Sequence, residues 1–361
     1  MIRAPGLYFA LSADEYHADT SLSGSGIIDL LVSPLTYWIK SVLNPDREEK
    51  STSAQERGNA FHTRLLEGRG RYEELYAVRP EIDDYPDAIN GTEALRAKCA
   101  DLEIKKGGTT ADLCARIQDA DSDAVLWPLI KAEFDGLNDG KTIIKPDLAR
   151  DIERQARIVE MHESARKAFN GGWPEVSAFW VDETGVPMKA RFDYLKARAV
   201  VDLKTFTNSL GLPLDAAIAR TVATYRYHVK AALYMDAVEA AKALIRDQGP
   251  DVVHGTENGT GRPTTDWLEA FIEPPAHAFV FVFLEAGAVP NVRVREFRQA
   301  LTGAKPGATA NLYWQSGYAA YRQGVKLYRE CLAHYGPGLP WIAPEPMRPF
   351  VDDEFPIYMM E

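Results

Sequence analysis

Asp193 and the triplet Asp202-Leu203-Lys204 carry the residue types of a hard-metal hydrolytic site. Asp202 and Lys204 lie two apart in the apolar run from Val200, so on an extended chain both side chains emerge on one face. Asp193 closes the strand-like segment that precedes them. Mg²⁺ prefers a few carboxylate oxygens, waters and a phosphate to a full protein cage. Such a site can polarise a phosphoryl oxygen and lower the pKa of an attacking water. A lysine beside it can orient that water or stabilise charge on the phosphate. The plain alternative is a salt bridge between strands. Ionised groups inside so apolar a strand are costly to bury, and that cost favours a functional reading.

The elements that must position these residues follow from periodicity. Segments 175–182, 186–194 and 199–205 read as three strands, the first two joined by a turn at 183–185. Residues 213–245 read as one long helix, and 249–266, rich in Gly, Pro, Asn and Thr, as a loop. The run 277–284 is a buried strand, and 292–297 pairs with it as a hairpin. A last amphipathic helix covers 307–335. Upstream, Ser23 or Ser25 can cap a short helix, and 53–67 forms a second with Phe61, Leu65 and Leu66 as its stripe. Polar residues 80–170 read as a mostly helical insertion into one domain spanning 1–361. The order of elements predicts an α/β core with a mixed sheet.

Composition narrows the class. The chain has 361 residues, 46% of them hydrophobic, enough for a sizeable core. No apolar run is long enough for a membrane span, no leader-like segment opens the chain, and a cytoplasmic location is expected. Three scattered cysteines give no metal-knuckle or disulfide framework. The net charge of −11 argues against a nucleic-acid partner when averaged over the surface. Locally, however, 189–230 carries eight Lys and Arg against Asp193, Asp202 and Asp215, so the most basic stretch surrounds the motif. The phosphate-loop lookalike at Gly136–Thr142 has the wrong glycine spacing and no preceding strand.

Asp193…Asp202-x-Lys204 resembles the PD-(D/E)xK nuclease signature, with Phe192 where proline is usual. Further segments occur in the order seen in RecE/exonuclease VIII-type and RecB-like nucleases: Leu22-Ser23-x-Ser25, Arg57 to His62 with Leu65-Leu66-Glu67, Glu175-Val176-Ser177, Lys189 to Asp193, and Tyr227 to Tyr234. The resemblance implies a restriction-endonuclease-like α/β fold, a mixed central sheet flanked by helices with helical insertions. It implies a Mg²⁺-dependent exonuclease on linear double-stranded DNA, with Mn²⁺ able to substitute, in phage-type recombination or repair. His62 is implied as a ligand with Asp193 and Asp202, against the alternative of a histidine satisfied on a helix face. Glu175 stands where the family has an acid that touches metal-bound water or DNA; otherwise it is an exposed strand-end acid. Ser23, Ser25, Arg191, Lys230 and Tyr234 are candidate DNA contacts, with core packing the alternative for Tyr234. Lys230 replaces a usual glutamine and cannot accept a hydrogen bond. A structure-specific endonuclease and a non-enzymatic DNA-binding module remain alternatives on the same fold. Retention on DNA without a basic exterior points to a ring-like homo-oligomer, and the resemblance adds a single-strand annealing protein as a partner.

Overall fold

The computed structural model describes residues 2–48, 52–255, 261–287, 289–298 and 311–343. Nine strands occur among them: β1 (Gly6–Tyr8), β2 (Tyr76–Val78), β3 (Thr142–Ile144), β4 (Gly172–Val181), β5 (Pro187–Lys196), β6 (Ala199–Phe206), β7 (Val253–His254), β8 (Ala278–Glu285) and β9 (Val292–Glu296). Seven form a mixed sheet in the order β7-β1-β4-β5-β6-β8-β9, and β2 pairs with β3 apart from it. The β4-β5-β6 meander is antiparallel, β8 lies parallel to β6, and β9 returns antiparallel. This is the restriction-endonuclease-like α/β architecture, a mixed sheet flanked by helices.

β8 shows why a strand buried on both faces reads as a continuous apolar run. Phe279, Phe281 and Phe283 point into one core, shared with the Tyr227–Gln248 helix, while Val282 and Leu284 enter another under the Pro146–Met161 helix. β6 alternates in the same way. Val200 and Phe206 join the first core, Val201 and Leu203 the second. Asp202 and Lys204 therefore face the Tyr227–Gln248 layer. That helix is held from outside by the Leu312–Tyr335 helix, where Gly317 lets the backbones meet: a Cβ there would come within 2.4 Å of the His228 carbonyl oxygen.

Several boundaries differ from the sequence reading. Asp193 does not end its strand; β5 continues to Lys196. The segment 213–245 is two helices, Leu214–Thr224 and Tyr227–Gln248, joined through Arg226 in the left-handed region at φ 51°. The helix from Ser53 ends at His62 and passes into a wider π-type turn over Thr63–Glu67. Within 249–266 lie the short β7 and the start of the Thr265–Ile272 helix; residues 256–260 fall outside the described set, as do 307–310 at the expected start of the last helix. β1, β2 and β3 have three residues each and no periodic signal of their own. In the 80–170 region the Thr92–Asp101 and Thr110–Ala120 helices share a small core of Leu95, Cys99, Leu113 and Ile117, separate from the sheet's two cores. No described helix is long and apolar enough to cross a membrane.

Candidate active site

The site forms where β5 and β6 part. Their pairing runs from Lys196↔Ala199 to Tyr194↔Val201 and goes no further, although both strands continue. Asp193 is the first residue beyond the fork. Its Oδ2 accepts a hydrogen bond from the Leu203 amide at 2.7 Å, so a side chain takes over where the backbone ladder stops. Across β4, the neighbouring pairs Pro174↔Tyr194 and Val176↔Phe192 place Glu175 opposite Asp193. Glu175 holds a left-handed backbone at φ 52°, a conformation that costs a non-glycine residue roughly 1 kcal/mol or more. The third component comes from the opposite layer. Phe61 is fully buried in the second core and anchors the last turn of its helix, delivering His62 to the fork.

One ligand atom each from His62, Glu175 and Asp193 lie within 4.8 Å of one another. Lys204 Nζ stands 3.6 Å from Asp193 Oδ2 and 2.5 Å from Asp202 Oδ2. Asp202 is 1% exposed, and Lys204 is its ion-pair partner. Asp202, expected as a direct ligand, is not in this candidate group; it pairs with Lys204, which also stands beside Asp193. Glu175, expected only to touch water or DNA, is inside the group.

The electrostatics follow from crowding and burial. Burial, reinforced by Asp193, raises the Glu175 carboxyl to about 7, against the pull of Arg191. Burial raises Asp202 to about 6 despite Lys204 beside it. For Asp193 burial pushes upward too, but Lys204, His62 and the Leu203 amide outweigh it and hold the group below the ordinary aspartate range. Burial and the Lys204 charge lower His62, leaving a neutral imidazole with a lone pair to donate. Burial opposes the Lys204 charge, yet its two aspartates keep it firmly protonated. A neutral imidazole and two buried carboxylates, one held near neutrality for want of positive charge, suit a divalent cation. The donor set therefore fits the group the motif implies.

A cleft of about 900 Å³ opens over this group. Glu175, Asp193 and His62 line it, together with Ser23, Ser25, Arg191, Lys230 and Tyr234. The expected DNA contacts thus share one cavity, but they are not equally available. Arg191 donates to Glu175 Oε2 at 2.8 Å and to the carbonyls of Leu11 and Ser12, so its guanidinium is spent on orienting Glu175 and tying down the N-terminal segment. Ser23 caps the Gly24–Leu30 helix and lies 3.0 Å, Oγ to Oγ, from Ser25, which is exposed. Burial, then Lys204, lower Lys230, which looks into the site from the Tyr227–Gln248 helix. Tyr234, one turn on, packs its ring edge-on to Phe192 at 5.6 Å while lining the cleft. Tyr227 has no role implied by the sequence motifs; its ring lies 5.4 Å from Lys204 Nζ, a cation–π contact made from the helix layer that Asp202 and Lys204 face. Its adjacency to the left-handed Arg226 leaves no periodic trace that would have singled it out.

A mixed sheet forked at an aspartate, with a buried acid-x-lysine on the next strand, defines a class of domain, and one segment of the chain matches it: a PD-(D/E)xK-like domain. Residues 128–244, which hold β4 to β6 and most of the helix carrying Lys230, match the family described as a PDDEXK-like domain of unknown function (DUF3799). Among solved structures, a candidate exonuclease from Eubacterium rectale is similar at 13% identity and a TM-score of 0.46, with 89% of this chain and 86% of that chain covered. No curated protein matches the chain.

Proposed function

We propose that this protein is a Mg²⁺-dependent deoxyribonuclease that hydrolyses linear double-stranded DNA from its ends, in the manner of the RecE/exonuclease VIII-type enzymes it resembles. The observation that carries the reading is the His62–Glu175–Asp193 ligand group at the floor of an open cleft, with Lys204 clamped against it. A divalent cation on these three residues would supply Lewis acidity toward a phosphate oxygen and acidity to a bound water. The chain's own groups do the rest. Lys204 holds a fixed positive charge where negative charge grows on the scissile phosphate, and Asp202 fixes the ammonium's position. Glu175, near neutrality at about 7, is able to take a proton at its free oxygen while Arg191 holds Oε2. Lys230, Ser25 and Tyr234 line the approach for the DNA backbone.

Digestion from ends accords with a ring-like homo-oligomer, since a chain of net charge −11 has little nonspecific grip on phosphates. A role in recombination or repair beside a single-strand annealing protein follows from the same reading. The test uses linear and covalently closed duplex in Mg²⁺, in Mn²⁺ and in EDTA. Linear DNA is digested in either metal, closed circles survive, and EDTA stops the reaction. Digestion of closed circles as fast as linear DNA would move the assignment to an endonuclease. Cleavage that persists in EDTA would remove the metal mechanism.

A further inference from the structure

The cleft is lined by His62, Glu175, Asp193, Lys230 and Tyr234. Around Tyr225 the structure builds a second surface that shares none of these residues. The Leu214–Thr224 helix stops at Tyr225, and the left-handed Arg226 turns the chain into the next helix. This reversal stacks the Tyr225 ring on Tyr227, with centroids 5.6 Å apart and planes 18° from parallel. Tyr227 in turn lies over Lys204 Nζ at 5.4 Å and against Phe281 at 6.1 Å. Tyr227 is thus fixed from below, and Tyr225 is the outer step: 57% exposed, with one face against Tyr227. An exposed tyrosine held flat by a ring beneath it is pre-ordered for stacking at little entropic cost.

Charge points the same way. A polar groove of about 160 Å³ beside this step is lined by Thr207, Asn208, Ser209, Arg220, Thr224 and Tyr225, and no carboxylate contributes to it. Arg220 is exposed, and neither it nor Arg226 has an ion-pair partner among the described residues. Elsewhere most arginines are paired: Arg293 and Arg295, for example, share Asp215. In an acidic chain, Arg220 lining the groove with Tyr225, and Arg226 next to Tyr225 in the sequence, give this exposed ring a positive setting that suits an anionic ligand with a flat ring.

We propose that Tyr225, with Arg220 and Arg226, is a binding step for an unpaired nucleotide, so that single-stranded nucleic acid passes the catalytic lysine along this surface. Stacking on an aromatic ring is sequence-tolerant, and the arginines supply the backbone charge. The inference rests on the nuclease reading for the reason a strand is there, but its test does not need hydrolysis. The full-length protein is titrated in EDTA with a fluorescein-labelled single-stranded oligonucleotide, read by anisotropy. A parallel oligonucleotide carries 2-aminopurine, whose fluorescence falls on stacking. Tyr225→Ala is expected to weaken binding about tenfold and to lose the 2-aminopurine quench. Tyr225→Trp restores both, and Arg220→Ala flattens the salt dependence while keeping the quench. Unchanged affinity in Tyr225→Ala, or a loss that Tyr225→Trp does not repair, overturns the proposal. If no metal supports cleavage yet Tyr225 still governs binding, the nuclease reading falls and the stacking step stands. If cleavage is robust and Tyr225→Ala binds normally, the reverse holds.

Discussion

Lys204 and Asp202 are joined in a way that couples stability to activity. Lys204→Ala removes the charge proposed to meet the phosphate, and a cleavage loss of at least two orders of magnitude is expected, worth about 3 kcal/mol. It also leaves Asp202, 1% exposed, without its counter-ion, which costs on the order of 3 kcal/mol of folding stability at neutral pH. Urea denaturation separates the two effects. A double variant, Asp202→Asn with Lys204→Met, should recover most of the stability and none of the cleavage. Equal stability of Lys204→Ala and the natural protein at pH 8 would show that Asp202 does not depend on the lysine. Glu175 sets a second residue-scale expectation. Its folded pKa, about 7, lies above the usual value of 4.5, so the folded protein holds a proton there that the unfolded chain has released. Without metal, its stabilising contribution is complete below pH 4.5 and is lost as pH rises through 7. The lowered histidines, His62 among them, act oppositely but only below about pH 6.5. Between pH 6.5 and 8 Glu175 should therefore cost the metal-free protein slightly less than ~1 kcal/mol of stability. Glu175→Gln should flatten that slope, as should saturating Mg²⁺ in the natural protein. A slope identical in Glu175→Gln would assign the pH dependence to other groups.

At the scale of elements, the site depends on where the Tyr227–Gln248 helix sits, because it carries Tyr227, Lys230 and Tyr234. Gly317 of the last helix fixes that distance, with no room for a Cβ against the His228 carbonyl. Gly317→Ala should force the helices apart and destabilise by about 2 kcal/mol, with cleavage falling in step as Lys230 withdraws. Gly58→Ala, in a helix with open space around that position, is the matched control and should be neutral or slightly stabilising. Thermal unfolding of the two variants checks the pair. What was legible at this scale follows from how each element is stabilised. β5, β6 and β8 were readable because two-sided burial writes itself into apolar runs and alternation. β1 and β7 were not, because strands of three and two residues are specified by the edge they complete. The break at Arg226 was missed because no glycine or proline marks it; tertiary packing holds a non-glycine residue in a left-handed turn. In the site, Asp193, Asp202 and Lys204 were visible as charges within apolar strands. The place of Glu175 in the candidate metal-binding group was not, because it depends on the β4–β5 register, which lies in pairing and not in local pattern.

At the scale of the whole molecule, the charge distribution bears on the proposed assembly. The chain bears 52 acidic against 41 basic residues, and the described arginines are mostly engaged in ion pairs or carbonyl contacts. Isolated subunits would leave DNA quickly at physiological salt. Enclosure by several subunits therefore makes a clear expectation: light scattering should give a mass that is an integral multiple of 40.1 kDa. Digestion of long linear duplex should be processive, with few intermediates when unlabelled DNA is added as a trap. A strictly monomeric protein with fully distributive digestion would remove the ring from the proposal.

The hydrogen bond from the Leu203 amide to Asp193 has one more consequence. An amide proton held by a carboxylate resonates at a frequency that follows the charge on that carboxylate. It also exchanges with solvent only when that bond opens. Leu203 is thus a spectroscopic reporter built into the centre of the sheet, its amide nitrogen 2.7 Å from Asp193 Oδ2 and its side chain fully buried. In an ¹⁵N-labelled sample its single cross-peak should register ionisation of Asp193, arrival of a cation and dissociation of product, without any probe being attached.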